Sequence, residues 1–147
     1  MNTQTQTTPA TRPQPRKIYE IKQERETMQS KLFAECGVFF AFSNEQFTAN
    51  KTPLQEGEKY VSIGMGGYIP KNSLNKFLDG MKENRLWYNK EVRRNNARRQ
   101  NIVYELANYE CYYTGDIQPA IDALGAGYTT KEVLKVYNEE RANHLND

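Results

Sequence analysis

The sequence predicts an α+β fold: a small two- or three-stranded sheet packed by four to six helices, with an all-helical C-terminal third. Two short apolar segments, residues 38–42 and 60–65, have the length and residue types of β-strands. Both lie in the first half, whereas other segments repeat apolar residues at three- and four-residue steps, as amphipathic helices do. A length of 147 residues suits one domain.

We place that domain at residues 17–147 and predict a disordered tail at residues 1–16, which are rich in Thr, Gln and Pro. The first helix runs from Lys17 to Glu35, and Gly37 ends it. Ser43 and Gln46 form a capping box that begins a short helix after the first strand.

The remaining chain is predicted to be helical. One helix follows Pro70, and a long helix covers residues 86–113, with Asn95 and Asn96 as the place where it would break. Gly115 and Gly125 delimit a short helix. A capping box at Thr129 begins the last helix, which runs to about residue 144.

Few residues are suited to catalysis or metal binding. Cys36 and Cys111 are far apart, and His144 is the single histidine, so the spacing of a zinc site is missing. We therefore expect no metal and no cofactor, and binding rather than catalysis. No apolar run reaches the roughly 20 residues of a membrane span, and no signal-peptide core is visible, so the expected location is the cytoplasm.

The charges are unevenly distributed, although the net charge is only +2. Residues 82–100 contain seven basic and two acidic side chains, and residues 101–147 contain three basic and eight acidic ones. On one ideal helix, one face carries the cations and the opposite face carries Val103, Leu106 and Tyr113. The predicted contact residues are Lys90, Arg93, Arg94, Arg98 and Trp87. They would bind nucleic acid or an acidic protein surface, with Trp87 adding stacking; alternatively, the cations form only a solvated face.

Two other places have both a functional and a structural interpretation. A glycine turn between a strand and a helix would bind phosphate through Gly66, Gly67, Lys71 and Ser73, or it would only form a tight turn. Glu110, among tyrosines, would act as a general acid or base, or would only accept a hydroxyl hydrogen bond.

The segment 104–116, with its tyrosine- and acid-rich helix end and its Thr114-Gly115-Asp116 turn, resembles a family of small uncharacterised accessory proteins of bacteriophages and mobile elements. The similarity extends over roughly residues 100–140. It implies a phage or mobile-element origin and no catalytic residue.

The resulting functional hypothesis is a non-catalytic accessory protein that binds nucleic acid through a basic helix face. A protein-binding module that inhibits a host enzyme or defence system is the first alternative. A binder of small phosphate-containing ligands at the glycine turn is the second.

Overall fold

The structure is a computed structural model that describes residues 14–145. Within them the chain forms seven helices and three strands: α1 (Ile18–Cys36), β1 (Phe39–Phe40), α2 (Asn44–Asn50), β2 (Tyr60–Gly64), β3 (Gly67–Pro70), α3 (Leu74–Arg94), α4 (Arg98–Asn108), α5 (Cys111–Thr114), α6 (Gln118–Leu124) and α7 (Thr130–Leu145). A 3-10 turn, Lys71–Ser73, connects β3 to α3. The α+β class is confirmed, with one helix more than the predicted upper bound.

The chain divides into two compact units. Residues 19–91 form one, and residues 92–145 with the segment 14–18 form the other. The single domain at residues 17–147 and the disordered tail at residues 1–16 stay predictions, and residues 1–13 of that tail lie outside the described residues. No helix within residues 14–145 is long and apolar enough to cross a membrane.

The unit of residues 19–91 is built on an antiparallel sheet with the strand order β1-β3-β2. Ile69 of the central strand is fully buried with Leu32 of α1 and Phe77 of α3. Tyr68, its neighbour in sequence, contacts Phe39 and Phe47 instead, with ring centroids 5.6 and 5.1 Å away. Because successive side chains of a strand point to opposite faces, β3 contributes Ile69 to the apolar core on one face of the sheet and Tyr68 to an aromatic cluster on the other.

The predicted strand 38–42 is shorter than expected and is not buried on both sides. Only Phe39 and Phe40 pair with β3. Phe40 and Phe42 are exposed, because the strand lies at the edge of the sheet. Ser43 does begin α2 as predicted, by accepting a hydrogen bond from the Gln46 amide at 3.1 Å.

The unit of residues 92–145 is helical, as predicted for the C-terminal third. Its core joins Ile102 and Leu106 of α4 with Ala120 of α6 and Val133 of α7, all at most 1% exposed. The apolar residues of α4 and α7 recur at three- or four-residue steps, so they lie on the faces where these helices pack against each other.

The β2–β3 hairpin turns on Met65 and Gly66, between the paired residues Gly64 and Gly67. Both turn residues have positive φ angles, 51° and 79°. This is the pattern of a type I′ turn, which favours Asn-Gly. A Cβ atom at Gly66 would lie 2.3 Å from the Phe42 ring, so only Met65 is free to change.

We expect Met65→Asn to raise the free energy of unfolding by about 0.5–1 kcal/mol, because asparagine tolerates the left-handed conformation better than methionine does. Met65 is 94% exposed, so the change removes little packing. Urea denaturation measures the effect, with Met65→Ala as the control. Equal stabilities of the two variants would contradict a strained turn.

Candidate functional site

The cationic segment does not form one continuous helix. Helix α3 ends at Arg94, and α4 begins at Arg98. The Asn96 amide donates to the Arg93 carbonyl at 3.2 Å, and the Ala97 amide donates to the Val92 carbonyl at 2.8 Å. With Asn96 at a φ of 52°, this is a Schellman motif. The predicted continuous helix over 86–113 is therefore wrong, and the break lies where the asparagine pair indicated it.

The side chain of Asn95 fixes the same turn from the other side. Its Oδ1 accepts a hydrogen bond from the Arg16 amide at 2.9 Å. The Ile18 amide donates in turn to Gln100 Oε1 at 3.0 Å, which satisfies an amide at the start of α1. The segment before α1 thus holds the α3–α4 turn in place.

The predicted contact residues are divided between the two units. Lys90 and Trp87 belong to the unit of residues 19–91. Arg93, Arg94 and Arg98 belong to the other unit. The four cations are exposed, and Trp87 is partly buried. The predicted alignment of four cations on one helix is wrong, because Arg98 begins a new helix.

Arg98 forms hydrogen bonds with other residues of its own unit. Its Nε and Nη2 donate to the two Glu132 carboxylate oxygens at 2.6 and 2.7 Å. Nη2 also donates to the Gly127 carbonyl at 2.5 Å, and the guanidinium carbon lies 4.1 Å from the centroid of the Tyr128 ring. The hydrogen bonds between Arg98 and Glu132 raise the pKa of Arg98 and lower the pKa of Glu132. A forked pair of this kind leaves few donors for a phosphate.

Arg99 is paired with the same helix. Its Nη1 donates to Glu139 Oε1 at 2.9 Å, and Nη2 lies 3.6 Å from Glu140 Oε2. The hydrogen bond with Arg99 lowers the pKa of Glu139. The start of α4 is therefore neutralised by the acidic side chains of α7.

The cations of α3 have a different environment. Lys82, Arg85 and Lys90 are exposed, and none forms an ion pair or a side-chain hydrogen bond with residues 14–145. On an ideal helix they fall within about 140° of one another. Lys82 and Arg85 belong to the basic segment of the sequence but not to the predicted site, because the predicted basic face includes only residues from 87 onward.

The glycine turn is not followed directly by a helix. Gly66 lies in the β2–β3 turn, and Lys71 follows the far end of the four-residue strand β3. An extended chain of this length separates Gly66 from Lys71 by roughly 16 Å. The strand–turn–helix arrangement behind the phosphate prediction is thus replaced by a hairpin. Binding of a phosphate there stays a prediction.

The candidate catalytic side chains differ in their environment. Glu110 is exposed, and it lines the same cleft as Tyr112, Tyr113 and His144. Cys36 and Cys111 are buried, and burial raises the pKa of both thiols, which disfavours the reactive thiolate. Within residues 14–145, no three His, Cys, Asp or Glu side chains are grouped to hold a metal ion.

An aromatic stack was missed by the sequence reasoning. The Tyr112 ring lies parallel to the His144 ring, with centroids 4.0 Å apart, and to the Tyr137 ring, with centroids 5.6 Å apart. Tyr137 and His144 are seven residues apart, so they lie on one face of α7, two turns from each other. That seven-residue spacing is the feature of the sequence from which the stack could have been predicted.

The stack buries the Tyr112 hydroxyl, which has no hydrogen-bond partner among the described residues. Burial raises the pKa of Tyr112 to about 12, and the Glu140 carboxylate adds to the effect. Tyr113 is instead 89% exposed, contrary to the predicted core position, because α5 begins a new helix after Glu110.

We expect Arg98→Ala to lower the free energy of unfolding by about 0.5–1 kcal/mol, since a partly exposed forked pair is lost. Arg93 is exposed and has no ion pair within residues 14–145, so Arg93→Ala is the matched control and should have almost no effect. Urea denaturation compares the two. Equal losses would show that Arg98 is not a structural residue.

We expect stability to fall between pH 10 and about 12, because the folded state binds the Tyr112 proton more tightly than the unfolded chain does. The full contribution is present below pH 10, and the loss across this range is about 3 kcal/mol. Lysines and other tyrosines titrate in the same range, so the measurement is the difference from Tyr112→Phe. Parallel pH profiles of the two proteins would contradict the burial of this phenol.

Comparison with known proteins gives one match. Residues 21–142 match DUF7659, a family of unknown function. No curated protein and no solved structure matches the chain significantly. The predicted resemblance to an uncharacterised family is confirmed at this level, and the phage or mobile-element origin stays a prediction. Because the match covers most of its length, the chain belongs to DUF7659, a family of unknown function.

Proposed function

We propose that the protein is a non-catalytic accessory protein that binds nucleic acid through the exposed cations of α3. The observation that carries the proposal is that Lys82, Arg85 and Lys90 point to solvent on one helix face without ion-pair partners among residues 14–145. Phosphate groups are the natural partners of such a row of cations.

The composition of this face supports a phosphate contact rather than an internal role. Asn89 is exposed on the same face and can donate a hydrogen bond to a phosphate oxygen. Two exposed acidic residues, Asp79 and Glu83, lie beside the cations on this part of α3, and neither forms an ion pair with them. The contribution of the face is mainly electrostatic and independent of base sequence.

The proposed contact uses a different and smaller set of cations than the face predicted from the sequence. Arg98 and Arg99 are paired with α7, so the proposed contact does not include them. Arg93 and Arg94 are exposed but belong to the other unit, so the proposed contact does not include them either.

We expect the chain to bind single- or double-stranded nucleic acid with an affinity that decreases as salt rises. Three phosphate contacts predict a slope of log K against log salt of about −2 to −3. Charge reversal of Lys82, Arg85 and Lys90 to Glu should abolish binding, and Lys90→Gln alone should reduce the slope by about one. Fluorescence anisotropy with labelled DNA and RNA at several salt concentrations measures both effects.

The matched control reverses three other exposed lysines, Lys51, Lys59 and Lys131, and so changes the net charge equally. Its affinity should fall much less than that of the α3 variant. Equal losses of affinity in the two triple variants would show that binding depends on net charge alone and not on the α3 face. An affinity that does not change with salt would refute the proposal.

A protein partner is the second candidate, and a different observation favours it. Phe42 and Met65 are 76% and 94% exposed, and Phe42 covers the hairpin turn at Gly66. Exposed apolar side chains of this size favour contact with another protein. Binding through them would depend little on salt, which separates this candidate from the first.

Two further parts of the hypothesis stay predictions. An accessory role in a bacteriophage or mobile element depends on the sequence resemblance alone. The phosphate site at Gly66, Gly67, Lys71 and Ser73 has no support from the hairpin geometry.

A further inference from the structure

A cleft opens beside the aromatic stack, in the unit of residues 92–145. It has a volume of about 360 Å³ and is lined by Ala107, Glu110, Tyr112, Tyr113 and His144. Clefts that bind small molecules have roughly this size and are mostly lined by aromatic and apolar side chains. The function proposed above does not use this cleft.

One wall of the cleft is held rigidly. Tyr112 is 6% exposed and lies between its two stacking partners in the core of the unit. Tyr113, the next residue, is 89% exposed and presents a second phenol ring to solvent. The cleft therefore combines a fixed aromatic wall with an accessible second ring.

The charge of the lining comes from Glu110. Its carboxylate is exposed and has no ion pair or hydrogen bond within residues 14–145. Among the residues that the structure describes, neither Lys nor Arg lines the cleft. An anion would be repelled by this carboxylate, whereas a cation would be attracted by the carboxylate and by the faces of the rings.

The backbone at Glu110 is in an unusual conformation. Its φ and ψ angles, 56° and 30°, lie in the left-handed region, which glycine adopts without strain and glutamate does not. The side chain also makes no capping hydrogen bond to α5. The turn does not need a carboxylate at this position, so its presence is consistent with a role in the cleft.

We propose that this cleft binds a small organic ammonium cation. The exposed ring face of Tyr113 would contact the alkyl groups around the charged nitrogen, Tyr112 would form the fixed inner wall, and the Glu110 carboxylate would neutralise the charge. Aromatic rings combined with a carboxylate are well suited to this class of ligand, because cation–π attraction increases when the cation is desolvated.

Calorimetric titration of the full chain with choline and with butylammonium tests the proposal. The uncharged controls are 3,3-dimethyl-1-butanol, which has the shape of choline, and 1-butanol. We expect at least one cation to bind at least about tenfold more tightly than its uncharged control, as a charge-dependent contact requires. Failure of both cations to bind, or equal binding of each cation and its control, would overturn the proposal.

Substitutions locate the binding. Glu110→Gln and Tyr113→Ala should each weaken binding of the cation at least about tenfold. Tyr109→Ala is the control, since Tyr109 is 44% exposed but does not line the cleft. Unchanged affinity of the two cleft variants, or an equal loss in Tyr109→Ala, would place the ligand elsewhere and overturn the site.

Glu110→Gly separates binding from folding. We expect it to raise the melting temperature, because glycine relieves the left-handed backbone, and to abolish binding of the cation. A variant that is more stable but does not bind cannot be explained by damage to the fold. Retention of the wild-type affinity in this variant would contradict the role of the carboxylate.

Discussion

The turn between α3 and α4 is the constraint on which the distribution of charge depends. Asn96 adopts the left-handed conformation, and Ala97 is completely buried behind it. The side chain of Asn95 is held by the Arg16 amide, so the turn is fixed by residues 79 positions apart. Because α4 begins anew after this turn, Arg98 and Arg99 face α7 and do not continue the exposed row of cations on α3.

The ion pairs between α4 and α7 explain part of the charge asymmetry of the sequence. The basic segment ends in two arginines whose partners, Glu132, Glu139 and Glu140, lie in the acidic segment. Each guanidinium is paired with carboxylates of the same chain, so part of the charge asymmetry reflects ion pairs within the protein. Lys82, Arg85 and Lys90 have no such partners among residues 14–145, and the proposed nucleic-acid contact depends on them.

Local sequence determined the positions where elements begin and end. Gly37 and Gly115 have φ angles of 72° and 80°, as expected for residues that terminate helices. Ser43 and Thr129 accept hydrogen bonds from the third amide of their helices. These features depend on residues within four positions of one another. The third strand was harder to predict, because Gly67–Pro70 has the composition of a turn and becomes a strand only by pairing on both sides.

The sequence by itself therefore determined the fold class, the helical C-terminal third and the place where the long helix breaks. Only the tertiary structure decided which cations are paired with carboxylates, because the partners of Arg98 and Arg99 are 34 and 40 residues away. The same is true of the cleft, where residues of α4, α5 and α7 meet. Pairing between distant residues follows from the packing of helices against one another, and periodicity within one helix carries no information about it.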